Sequence, residues 1–159
     1  MVQYKIADFR LTILDYIWMN KNDLKERLKL LAIRSARLCT KLPLNLINKV
    51  YIGQLIRCSS SSAANYRAAC RGKSKADFIN KLKIVEEELD ESMFFYEMLA
   101  EFNPENKNDL RELYKEADEL LSIIVASINT AISNSEKEKE NKSKKSEIVH
   151  LKSKISDQH

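Results

Sequence analysis

The chain has 159 residues, 44% hydrophobic and 31% charged, with two glycines and two prolines. That length suits one domain with a true core, and so little turn chemistry excludes a fold of many strands. Net charge is only +4, but it is unevenly spread: residues 1–56 carry +6, residues 57–83 another +6, residues 84–120 carry −10 and the remainder +2.

Residues 1–22 are apolar but interrupted by Lys5, Asp8, Arg10 and Asp15, with no small-residue cleavage site behind them. They read as an N-terminal extension rather than a signal peptide. The best apolar run, residues 120–128, is about half of a membrane span. Cys39, Cys58 and Cys70 show no CxxC spacing and fall in apolar helical contexts, where cysteine acts as a small buried hydrophobe in a reducing compartment. The expectation is a cytoplasmic protein with no membrane partner.

A helical bundle is expected over residues 23–133. Asp23 and Glu26 have capping-box spacing, and Leu24, Leu28, Leu31, Ser35 and Leu38 then recur on one helical stripe. Pro43 ends this helix and suits the start of the next. From Leu44 a second stripe passes through Ile47, Val50 or Tyr51, Leu55, Cys58 or Ser59, Ser62, Tyr66 and Cys70, stopping at Gly72 as a C′ residue. The stretch CSSSSAANYRAAC therefore lies inside the helical period. Its serines are expected to bond the carbonyl one turn back and to form a packed seam rather than a linker.

Ser74 caps a third helix, with Phe78, Leu82, Val85, Leu89, Ser92 or Met93, Tyr96 and Leu99 or Ala100 as its stripe, until Asn103-Pro104 breaks it. A fourth helix runs from Asn108 or Asp109 to about Ser133. Its core stripe is Leu110, Leu113, Ala117, Leu120, Ile124, Ile128 and Ala131, with Tyr114, Leu121, Val125 and Ile132 beside it. This second stripe, and Phe94, Phe95, Met98 and Phe102 on the third helix, ask for a further partner. Self-association is expected to cover them, with Phe94, Phe95, Met98, Leu121 and Val125 at the interface. The alternative cover is the N-terminal extension. Residues 134–159 read as a charged, disordered tail, in which Ile148, Leu151 and Ile155 offer a short amphipathic turn.

Catalytic chemistry is not visible. His150 and His159 both lie in the tail, so the bundle has no imidazole for acid–base work or metal ligation. Gly72-Lys73-Ser74 follows a helix and lacks the first glycine of a phosphate loop, Arg67 standing in its place. Glu86-Glu87-Glu88-Leu89-Asp90-Glu91 reads as a solvated or ion-paired face. No enzyme, cofactor or metal is expected. What remains is a basic cluster around the turn between the second and third helices: Arg57, Arg67, Arg71, Lys73 and Lys75, with Lys81 and Lys83 nearby. Such a cluster can neutralise phosphates, or pair with the acidic segment at 86–119.

Leu42-Pro43, Gln54-Leu55-Ile56-Arg57, Ser60-Ser61, Ala64-Asn65, Ser74-Lys75-Ala76-Asp77-Phe78-Ile79, Lys81-Leu82 and Glu88-Leu89-Asp90-Glu91-Ser92 occur in an order that resembles the four-helix-bundle family of 23S rRNA intervening-sequence proteins. The resemblance covers roughly residues 24–133. It implies an all-α antiparallel up-and-down bundle that assembles into a homopentamer. Some members are encoded within insertions in large-subunit rRNA genes and have no settled activity. A related branch, the accessory proteins of diversity-generating retroelements, forms basic pentamers that bind a reverse transcriptase and nucleic acid. The chain departs from the family pattern at Ser62, Ala63, Ala68, Cys70 and Arg71, which makes its seam smaller and more basic. The resemblance thus implies a non-enzymatic oligomer that binds RNA or DNA, or a ribonucleoprotein, through Arg57, Arg67, Arg71, Lys73 and Lys75. The other function it implies is an adaptor subunit for a reverse transcriptase.

Overall fold

The computed structural model describes residues 21–156, with side chains as far as residue 147. The N-terminal extension, residues 1–20 of the 1–22 segment, lies outside the described residues. Four helices follow one another: α1 (Lys21–Cys39), α2 (Leu46–Ala69), α3 (Lys75–Phe102) and α4 (Lys107–Ser156), the last preceded by a single 3-10 turn at Pro104–Asn106. Each packs on the next, and α4 closes back on α1, so that α1–α3 and α2–α4 lie across the diagonals. This is the up-and-down four-helix bundle that short connections between amphipathic helices favour.

The core is the meeting of the four stripes. Leu28 and Leu31 of α1, Leu55 and Cys58 of α2, Leu82, Leu89 and Leu99 of α3, and Leu110, Leu120 and Ile124 of α4 are all sealed from solvent. One polar contact crosses the diagonal. Tyr96 of α3 meets Ser35 of α1 at 2.5 Å, hydroxyl to hydroxyl, and Ser35 Oγ also lies 2.7 Å from the carbonyl of Leu31.

The serine-rich stretch is a continuous part of α2, and its inward residues are buried. Ser59 Oγ donates to Leu55 O at 2.7 Å and Ser62 Oγ to Ser59 O at 2.8 Å. Across the seam, Ser92 Oγ lies 3.1 Å from Cys58 Sγ and 2.7 Å from the carbonyl of Glu88. Back-bonding of this kind satisfies a buried hydroxyl without a partner on another helix.

Several expectations about boundaries need correction. Asp23 does not cap α1 but sits inside its first turn, where its charge complements the helix dipole. α2 starts two residues later than its stripe suggests. Asn45 is the N-cap, accepting from the Asn48 backbone N–H at 2.8 Å. In that first turn the inward position belongs to Asn48, fully buried, while Ile47 and Val50 are exposed. The reason is a closed polar pair. Asn48 Nδ2 donates to Asn103 Oδ1 at 2.8 Å, Asn103 Nδ2 returns a bond to Asn48 Oδ1 at 3.0 Å, and the two spare donors reach the carbonyls of Pro43 and Leu99.

Gly72 is not left-handed, contrary to its reading as a C′ glycine, because no described residue has positive φ. Its role is spatial: a Cβ there would lie 3.0 Å from the Ala69 carbonyl oxygen and 3.1 Å from Asp77 Oδ2. The largest difference is at the C-terminus. The expected disordered tail continues α4 through Ser156. Residues 136–147 are all exposed, so the segment is solvated as its charge requires. It remains helical because Lys and Glu are strong helix formers that pair at i,i+4, as Lys144 and Glu140 do at 2.7 Å.

Candidate nucleic-acid interface

The turn between α2 and α3 is built tightly. α2 closes through backbone bonds from Arg71 N to Ala68 O (3.0 Å) and Gly72 N to Ala69 O (2.9 Å). Ser74 then caps α3, its hydroxyl accepting from the Asp77 N–H at 3.1 Å. Arg67, Arg71, Lys73 and Lys75 are all exposed around this turn. Among the described residues no ion pair engages Arg67, Arg71 or Lys73, which leaves three cations facing water within seven residues of chain.

The other two members of the expected cluster are placed differently. Lys75 is held by Glu138 on α4, and that lysine draws the Glu138 carboxyl below its ordinary range. Arg57 lies fourteen residues before Arg71 on α2, roughly 20 Å along the helix. Its guanidinium is claimed by α3: it bonds Glu91 at 2.5 Å and Glu88 at 3.2 Å, and these carboxylates raise its pKa. Glu88 also accepts from Ser61 Oγ at 2.9 Å. Arg57 is therefore a clamp between α2 and α3, separate from the turn. A matching clamp ties α1 to α4, where Arg27 bonds Glu116 at 3.0 Å and Glu119 at 2.9 Å. Burial opposes the Arg27 charge, but the two carboxylates outweigh it. The acidic segment is thus partly consumed in joining helices and does not neutralise the basic turn.

The two buried thiols, Cys39 and Cys58, offer no nucleophile. Burial pushes Cys39 up to about 11 and also raises Cys58, so both stay protonated near neutrality. Among the described residues no group of three or more His, Cys, Asp or Glu side chains is arranged to hold a metal. No helix among them is long and apolar enough to cross a membrane.

The expected interface residues divide between two faces. Phe94 is half exposed and packs edge-on against Phe95 at 5.2 Å between ring centroids, and Tyr51 bridges Phe95 (6.1 Å) and Phe102 (6.0 Å). Phe95 itself is buried in the core, contrary to its expected place at an interface; exposed Ile47, Val50, Phe94 and Phe102 make the apolar face on α2 and α3, with Phe95 beneath it. Met98 is partly exposed on the same stretch of α3. Leu121 and Val125 instead line a groove between α3 and α4, beside Glu86, Glu87 and Asp90. Sequence periodicity marked both sets as surplus to the core but could not say that they face apart.

Comparison with known proteins adds two findings. The family model described as 23S rRNA-intervening sequence protein matches residues 20–126. A crystal structure from Bacteroides thetaiotaomicron, of a protein with unknown function from the S23 ribosomal protein family, is similar in fold with a TM-score of 0.61. It shares 27% identity, over 70% of this chain and 99% of that one. A search of curated proteins finds no match.

Proposed function

Because this chain belongs to the 23S rRNA-intervening sequence protein family, we propose that it is a non-enzymatic, self-assembling helical bundle that binds nucleic acid, free or in a ribonucleoprotein, through the α2–α3 turn. The observation that carries this reading is a set of cations without an ion-pair partner among the described residues, Arg67 in the last turn of α2 and Arg71 and Lys73 on the turn that follows, whose backbone is braced by the Ser74 cap and the close packing at Gly72. Exposed cations carried on a braced backbone suit phosphate contacts, which depend on counterion release and need no base readout. No aromatic side chain is interleaved with them, so stacking on bases is not part of the proposal. The apolar face around Phe94 and Phe102 supplies the surface for self-assembly, for which a homopentamer is the expected form.

The test is light scattering across a size-exclusion peak, with absorbance at 260 and 280 nm, on protein purified at low salt without nuclease. The expected result is a mass near five times 18.4 kDa with excess absorbance at 260 nm. A monomer free of nucleic acid overturns the reading. A protein partner captured without nucleic acid, such as a reverse transcriptase, replaces it with the adaptor function.

The patch itself is tested by charge reversal. Arg71→Glu with Lys73→Glu is expected to weaken RNA binding and to flatten the plot of log K against log salt by about 1–2. An Arg57→Glu variant is not expected to change that slope, since Arg57 is already engaged by Glu88 and Glu91.

A further inference from the structure

We propose that the groove between α3 and α4 receives the basic C-terminal helix of a second copy of this chain. The inference does not rest on nucleic-acid binding.

The groove is a cavity of about 470 Å³ lined by Lys83, Glu86, Glu87, Asp90, Leu121 and Val125. Two partly buried aliphatic side chains line it together with three carboxylates, which outnumber its one lysine. None of Glu86, Glu87 and Asp90 has an ion-pair partner among the described residues, whereas Glu88 and Glu91, on the same helix, are both engaged by Arg57. A lining that is both aliphatic and acidic suits a short amphipathic helix of opposite charge.

The chain contains such a segment. Residues 142–156, KSKKSEIVHLKSKIS, hold five lysines against one glutamate, and α4 remains helical through them. Ile148, Leu151 and Ile155 recur at the spacing of one helical stripe. The first and last lie seven positions apart, about 10 Å of helix and about two turns. On the groove side, Leu121 to Val125 and Glu86 to Asp90 each cover about one turn, so two turns of helix are enough to meet both sets.

Continuity of α4 decides which copy supplies the segment. Leu121 and Val125 belong to the same helix as the tail, which runs on beyond them without a break. To reach its own groove the tail would have to leave the helix and reverse direction. A tail from another copy needs no such break. The segment also lies beyond the family match, which ends at residue 126. A helical stretch of this length is marginal in water by itself, and docking would supply the missing support.

The experiment mixes full-length chains grown with ordinary and heavy nitrogen and joins contacting amines and carboxylates with a zero-length carbodiimide reagent. Mass spectrometry then identifies links between light and heavy copies. The expected result is inter-copy links from the lysines at 142, 144, 145, 152 and 154 to Glu86, Glu87 or Asp90. Lys144→Glu with Lys145→Glu is expected to reduce the links from the remaining tail lysines at least tenfold. Mixing that variant with Glu87→Lys, Asp90→Lys chains is expected to restore inter-copy linking with the charges exchanged. Circular dichroism of each variant shows whether helix content is retained. Tail links found only within one copy, only to other surfaces, or lost on nuclease treatment would each overturn the proposal. So would failure of the exchanged-charge pair to restore them when both variants remain helical.

Discussion

Tyr96→Ala is expected to destabilise the bundle by about 3–5 kcal/mol, as loss of a large buried aromatic does elsewhere. Tyr96 is 1% exposed and its ring occupies the centre of the core, where it spans from α3 to the diagonal helix α1. Alanine would leave a cavity in the core, and close-packed interiors relax only partly around such a loss. Tyr96→Phe separates the ring from its hydroxyl. It keeps the packing and removes only the 2.5 Å contact to Ser35, whose hydroxyl still has the Leu31 carbonyl as a partner. The expected cost is about 0.5–1.5 kcal/mol. Urea unfolding of both variants gives the comparison. Similar losses for the two would assign the stabilisation to the hydroxyl contact instead of the ring.

The helix stripes were legible because each core residue is apolar and spaced at three or four. Ser35, Ser59, Ser62 and Ser92 were legible too, although polar, because they fall in register and carry a hydroxyl able to bond one turn back. Asn48 was not. A carboxamide cannot satisfy all its groups within its own helix, so its burial depends on a partner 55 residues away that reads in sequence only as a helix breaker. The same limit applied to the basic cluster. Arg57, Arg71 and Lys75 are neighbours in charge, but only the fold shows that Glu88 and Glu91 hold the first, that Glu138 holds the third, and that Arg71 is exposed with no ion-pair partner among the described residues. The extension of α4 was missed because the apolar period that marks a helix lapses once the helix leaves the bundle. Propensity and i,i+4 pairs then carry it, and these resemble the composition of a disordered tail.

The pair that sequence could not reveal gives the second large effect. Asn103→Ala is expected to cost about 2–4 kcal/mol, because it strands buried groups rather than merely deleting contacts. Asn48 and Asn103 are 0% and 1% exposed. Without Asn103, Asn48 Oδ1 loses its donor and one Nδ2 proton loses its acceptor, while the bond from Asn103 to the Leu99 carbonyl disappears. Asn48→Ala is expected to cost a similar amount, since it frees Asn103 in the same way and releases the Pro43 carbonyl of the α1–α2 connection. The double variant should then cost clearly less than the two singles together, by about 1–2 kcal/mol, as residues bonded to each other do in a double-mutant cycle. Strict additivity would mean that water replaces the lost partner at no penalty. The α1–α2 connection and the C-terminal end of α3 would then be joined by packing alone, and the buried exchange of hydrogen bonds would contribute nothing to holding that end of the bundle closed.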